Sequence, residues 1–281
     1  MIHPSFDIGL EQENETFGNA CLLMEVGERF FNYIIYDSES RKLLRVRQYI
    51  MELSVDKGPY ERLEEIVAGD PLLARDMKET GILYNFAESN LLPEEHFSIG
   101  LNTPLTQLIY GDVNKGLALS EKINGWEMYN IYRVPKYIHT LFQQRFQAGK
   151  YWHFYTLFMS TVQKEKLEGK MIKAVFYNDR FVAAFFSGDR LLIIQTFLYQ
   201  TPEDASYHLL LMCRQFDIAA ADTSLQISGL IDEQSALYTE LTKYFPVVEY
   251  EGIPETIPHQ GILDEHPAYY FSPLLKISLC V

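Results

Sequence analysis

Between residues 171 and 250 the chain alternates short apolar runs with turn signals, and the same order recurs upstream. Residues 171–177 and 180–186 are apolar and rich in β-formers, parted by Asn178-Asp179, a polar gap that marks a hairpin. Ser187-Gly188-Asp189 makes the next turn, and Leu191-Leu192-Ile193-Ile194 is apolar without alternation. That pattern predicts a central strand covered on both faces. A helix should follow, with Thr201 as cap, Pro202 in its first turn and Asp204 completing the capping spacing. Its apolar positions, Ala205, Leu209, Met212, Cys213 and Phe216, share one helical face. Leu225-Gln226-Ile227 reads as a short strand ending in Ser228-Gly229. A helix with Leu237, Leu241 and Tyr244 comes next, stopped by Phe245-Pro246, and residues 247–250 return as a strand.

The upstream copy runs from Ala20 to Arg133. Residues 1–19 are polar and read as a lead-in segment. Residues 21–26, 30–36 and 43–51 are predicted strands, parted by Gly27-Glu28 and by the polar turn 37–41. A helix carrying Leu63, Ile66 and Val67 ends near Gly69-Asp70-Pro71, residues 82–87 form the next strand, and Pro93 opens a short helix. Residues 98–125 hold an extra strand or short helix at 117–123, or else a long insertion. Residues 127–133 read as a strand, Pro135 starts a helix bearing Ile138, Leu141, Phe142 and Phe146, and a further helix spans about 153–164. Ala148-Gly149-Lys150 interrupts the pattern, which predicts two domains, 1–149 and 150–281. The end of the second, 267–281, is too apolar to hang free and should dock on the body.

Composition narrows the function. The net charge of −14 repels phosphate backbones and argues against nucleic acid or an anionic membrane as partner. Arg41, Lys42, Arg45 and Arg47 read as the exposed side of one strand pair. No apolar run reaches the roughly 20 residues that cross a bilayer, and Met1-Ile2-His3-Pro4 does not open a signal peptide. Cys21, Cys213 and Cys280 are odd in number and widely spaced, which points to a reducing, cytoplasmic setting rather than a disulfide framework.

Two tandem βββαβα units resemble the actin-like ATPase fold, an α/β architecture of duplicated ribonuclease-H-like domains. More narrowly, residues 90–97 (Asn-Leu-Leu-Pro-Glu-Glu-His-Phe), 203–210 (Glu-Asp-Ala-Ser-Tyr-His-Leu-Leu), 225–230 and Leu237-Tyr238 resemble a bacterial family with a domain of unknown function and that fold. The chain is more distantly similar to the actin-like scaffold proteins of pilus assembly and type II secretion. The resemblance implies a fold and no particular activity.

An actin-like ATPase holds phosphates with two hairpins of the type Asp-x-Gly followed by Ser or Thr, because glycine lets backbone N–H groups approach and Asp organises Mg²⁺ or water. The first hairpin here reads Glu25-Val26-Gly27-Glu28-Arg29, and a carboxylate at 28 would repel phosphate. The second reads Tyr177-Asn178-Asp179-Arg180, without glycine. The adenosine-side motif, a strand ending in Gly-Gly, corresponds to Ser228-Gly229-Leu230. The candidate nucleotide-contacting residues are therefore Gly27, Ser228 and Gly229. As plain architecture, Gly27 is a hairpin turn and Gly229 a strand-to-helix turn, and these readings are preferred. Residues 111–117 keep two P-loop glycines but lack the following Lys-Ser/Thr. Glu25, one of Glu61, Glu64 and Glu65, and Glu88 occupy the elements where a ribonuclease-H-type nuclease would hold metals, though the usual Asp is missing. His259 and Asp264-Glu265-His266 match no recognised metal spacing. No catalytic residue, cofactor or metal is expected. The reading is a non-catalytic protein that works through a protein partner or self-association. The alternative is an enzyme or switch binding a nucleotide or sugar-phosphate in an interdomain cleft.

Overall fold

A computed structural model describes residues 2–9, 17–51, 57–111, 116–162, 165, 167–259 and 261–281. The chain forms two compact units. The first comprises Met1–Ser160, Glu255–Glu265 and Ser278–Val281, and the second Thr161–Pro254 and His266–Ile277.

The first unit opens with β1 (Phe6–Gly9), then β2 (Ala20–Val26), β3 (Phe30–Asp37), β4 (Leu43–Ile50), α1 (Pro59–Gly69) and β5 (Glu79–Tyr84). An insertion follows: β6 (Ser89–Pro93), α2 (Asn102–Tyr110), β7 (Leu117–Ile123) and β8 (Met128–Val134). After it come α3 (Lys136–Arg145), β9 (Lys150–His153) and α4 (Phe154–Val162). The second unit contains β10 (Lys170–Phe176), β11 (Arg180–Ser187), β12 (Arg190–Leu198), α5 (Pro202–Gln215), β13 (Ser224–Gly229), α6 (Ala236–Thr242), β14 (Val247–Tyr250) and α7 (Ser272–Ile277).

The main sheets run β1-β4-β3-β2-β5-β9 and β12-β11-β10-β13-β14. With β1 set aside, both place the third, second, first, fourth and fifth strands of a unit side by side. In both, the first three strands are antiparallel and the fourth pairs parallel with the first. β2 lies between two neighbours and is buried at all its positions, which is why it reads as an unbroken apolar run. One core gathers Leu22, Met24, Tyr33, Leu63, Ile82 and Phe142, the other Ile172, Phe176, Phe181, Leu209, Ile227 and Leu241.

Three expectations are revised. The polar lead-in contains β1, which pairs antiparallel with β4 from Phe6↔Gln48 to Gly9↔Arg45. Asp7 on it accepts hydrogen bonds from Arg45 (2.7 Å) and Arg47 (2.8 Å), so ion pairing brings a polar segment into the sheet. The run 191–194 belongs to β12, an edge strand whose residues there are only half-buried. The first copy does not close with a helix at Pro93. That residue ends β6, followed by one 3-10 turn, Glu94–His96, and the fifth strand of the sheet is β9. The intervening strands form a separate sheet, β6-β8-β7. Thr201 and Asp204 cap α5 reciprocally, as their spacing predicts.

Glu121 on β7 joins this inserted sheet to β9 by accepting the His153 N–H at 2.6 Å. His153 is fully buried. Burial lowers its imidazole to about 3, and the neutral ring contacts the Phe86 carbonyl and the Tyr155 N–H. Burial pushes the Glu121 carboxyl from 4.5 up to about 7. The folded state then holds this proton more tightly than the unfolded chain. The resulting stability is present at low pH and is lost as pH rises from about 4.5 to 7. A full shift of that size corresponds to roughly 3 kcal/mol, trimmed to about 2 by the partial exposure of the side chain. Glu121→Gln keeps the acceptor oxygen and removes the ionisation. In urea titrations it should match the wild type at about pH 4 and exceed it by about 2 kcal/mol at pH 8.

Candidate functional site

Gly27 begins the turn between β2 and β3, and its N–H donates to the Phe30 carbonyl at 3.0 Å. A Cβ at this position would lie 2.3 Å from Phe30 Cε1. Phe30 is itself buried, so the glycine gives room to a core ring. Glu25 stands where the phosphate-binding pattern has Asp. Glu25 is 3 % exposed, and its carboxylate accepts from Asn32 (3.2 Å) and Asn85 (2.8 Å). Asn85 follows β5, and its backbone N–H donates to the Val26 carbonyl at 2.8 Å.

The second unit repeats this frame with different residues. Tyr177 N–H donates to the Arg180 carbonyl (2.8 Å), and Leu230 N–H donates to the Phe176 carbonyl (2.8 Å). Tyr177 therefore stands where Gly27 does, Val175 where Glu25 does and Leu230 where Asn85 does. The Tyr199 hydroxyl, pushed up to about 12 mainly by burial, donates to the Tyr177 carbonyl at 2.8 Å. The Tyr199 N–H donates to the Asp179 carbonyl at 3.1 Å. Arg180 is 1 % exposed and its Nε donates to Asp179 at 3.1 Å. The Tyr177 and Asp179 carbonyls of this turn are thus engaged by their own unit.

Ser228 and Gly229 end β13 beside this turn, with Val175↔Ser228 and Phe176↔Gly229 in parallel register. Gly229 has φ +83, and a Cβ there would lie 2.1 Å from the Phe176 carbonyl oxygen. Positive φ and close approach to a backbone together require glycine. The fold brings Ser228 and Gly229 to the second turn, whereas Gly27 belongs to the first unit.

Other groups that the sequence raised are held elsewhere. Glu88 pairs with Arg133, Glu65 with Lys57, and Glu64 accepts from Tyr137. Among the described residues, no three His, Cys, Asp or Glu side chains converge on a metal position. Asp112 to Lys115 of the near P-loop lie outside the described residues. Arg45 and Arg47, read as a solvated basic face, are neutralised by carboxylates. Asp70 accepts from Arg47 (2.7 Å), Tyr33 (2.7 Å), Tyr49 (2.8 Å) and the Leu72 N–H (3.0 Å). The sequence showed Asp70 only as a helix stop. A groove of about 720 Å³ lies over this cluster, lined also by His3, Asp7, Lys57 and Glu65. Its paired charges leave little net attraction for an anion.

These geometries can be compared with known proteins. One family model, described as "Protein of unknown function (DUF3822)", matches residues 11–248. This chain belongs to that family. No curated protein sequence matches it. Among solved structures it is similar to a Bacteroides thetaiotaomicron protein with an actin-like ATPase fold and unknown function. That match has 15% identity, covers 93% of this chain and 96% of the other, and has a TM-score of 0.75. A chain from a PilM–PilN type IV pilus biogenesis complex matches with 10% identity, 92% and 98% coverage, and a TM-score of 0.61. The fold of this DUF3822 protein is thus the actin-like ATPase fold.

Gly229→Ala should cost about 3 kcal/mol, because a strained φ adds to a clash with a carbonyl in a sheet. Gly27→Ala should cost about 1–2 kcal/mol, since a ring can shift where a backbone resists. Urea unfolding followed by circular dichroism measures both. Equal or negligible losses would contradict these packing roles for the two glycines.

Proposed function

We propose that this protein is a non-catalytic member of the actin-like fold class, acting through protein–protein contacts, with ATPase activity lost. The observation that carries the reading is the state of the two turns. In the first, the glycine is covered by the Phe30 ring, and Glu25 is buried between two asparagines. In the second, Val175 and Tyr177 stand where the pattern needs Asp and Gly, and Arg180 is buried within the unit. Neither turn keeps the small, open backbone cradle that phosphate requires. Fold alone carries no activity, so intact ribonuclease-H-like packing does not argue against this reading.

Support for a protein partner comes from the PilM–PilN complex, in which a similarly folded chain is part of an assembly. The strongly acidic net charge of −14 speaks against nucleic acid as the partner. Among the described residues no helix is long and apolar enough to cross a membrane, and a cytoplasmic setting fits cysteines that form no disulfide.

Thermal unfolding with and without millimolar Mg-ATP tests the reading. A ligand at about 100 times its Kd would add about 2.7 kcal/mol and raise the midpoint clearly. No change is expected. A nucleotide-specific rise would contradict the proposal and favour a nucleotide-binding enzyme or switch.

A further inference from the structure

The two units differ at one sheet edge. The third strands, β4 and β12, share a register irregularity: the pairing slips between Ile35 and Tyr36 in one and between Phe185 and Phe186 in the other. Because Phe30↔Ile50 corresponds to Arg180↔Leu198, Arg45, Val46 and Arg47 correspond to Ile193, Ile194 and Gln195.

In the first unit this edge is covered. β1 pairs with it, with Asp7 opposite Arg47, Ile8 opposite Val46 and Gly9 opposite Arg45. Under that cover Val46 is 2 % exposed. In the second unit no described strand lies beyond β12, and Ile194 is only half-buried. β12 is nine residues long and carries one charge, Arg190, at its start. Natural edges are usually blunted by shortness, lysine or proline, and this one has a register slip near its start but no proline or lysine.

We propose that the outer edge of β12 is a self-association surface, pairing antiparallel with β12 of a second copy about a two-fold axis at Ile194. This deepens the protein-contact reading above and rests on it. The occupant follows from the chemistry of the edge. On β4 the two arginines select the carboxylate of Asp7. On β12 those positions are Ile193 and Gln195, which select an uncharged, apolar strand. A second β12 meets that need. Centred on Ile194, it sets Ile194 opposite its copy, as Ile8 stands opposite Val46. It sets Ile193 opposite Gln195 and Arg190 opposite Leu198, so no like charges oppose one another. Branched apolar pairs across an antiparallel ladder stabilise a sheet, and the isologous contact closes at two copies. The sheet would continue across the pair.

An interface of one strand pair lies at the small end of specific association, so a dissociation constant on the order of 10 μM is expected. Sedimentation velocity on the full chain, from about a tenth to ten times that value, reads the mass. The wild type should shift from one to two copies. Ile194 is not among the side chains packed on the second core, so Ile194→Lys and Ile194→Glu should keep the wild-type circular dichroism spectrum. Each alone sets like charges opposite one another and should remain monomeric, while an equimolar mixture sets Lys opposite Glu and should restore the pair. The proposal is overturned by a wild type that stays monomeric throughout. It is equally overturned by a Lys variant that pairs as the wild type does, or by folded Lys and Glu variants that fail to pair when mixed. A monomer without nucleotide response would remove this interface and leave the non-catalytic reading standing. A nucleotide response in the unfolding assay would remove that reading instead.

Discussion

Each unit is organised by one backbone contact, the hydrogen bond from the residue after the fourth strand to the last carbonyl of the first. It runs from Asn85 to Val26 in one unit and from Leu230 to Phe176 in the other. The contact fixes the parallel register of the two central strands and the position where the hairpin turn must lie. In an actin-like ATPase fold these strand ends and turns would face phosphate. Here the same frame holds different side chains in each unit, which separates the requirements of folding from those of phosphate binding. Gly229 illustrates the first requirement: its positive φ and its approach to the Phe176 carbonyl make glycine necessary whether or not a ligand is present.

The turns themselves are filled by side chains of their own units. A phosphate cradle leaves backbone N–H groups unsatisfied until the ligand arrives, and buried unsatisfied donors are costly. In the second turn the Tyr177 N–H donates to the Arg180 carbonyl, Tyr199 donates to the Tyr177 and Asp179 carbonyls, and the buried Arg180 donates to Asp179 within its own unit. In the first, the Phe30 ring covers the glycine. An aromatic side chain thus lies against each turn.

Much of the fold is legible in the sequence because local and tertiary signals agree. The Thr201–Asp204 capping pair, the Asn178-Asp179 gap and the apolar face of α5 each point to the element that forms. The unread parts share a physical cause: their placement depends on partners distant in sequence. β1 is four residues in a polar segment, and its membership in the sheet rests on Asp7 meeting Arg45 and Arg47. β9 is separated from β5 by the inserted sheet, so no local signal ties its four residues to that partner. The run 191–194 has the composition of a central strand, yet it sits at an edge. At the candidate site, Gly27 and Gly229 are visible as turn residues. The burial of Arg180 and the Glu25–Asn32–Asn85 cluster are not, because arginine and glutamate usually face solvent.

The most direct test of the closed turns is amide hydrogen exchange at Gly27 and Tyr177, with and without Mg-ATP. Both amides donate within their own turn, so both should exchange slowly and at the same rate in the two conditions. Fast exchange that slows when nucleotide is added would mean that the turns are open cradles, and would contradict the account.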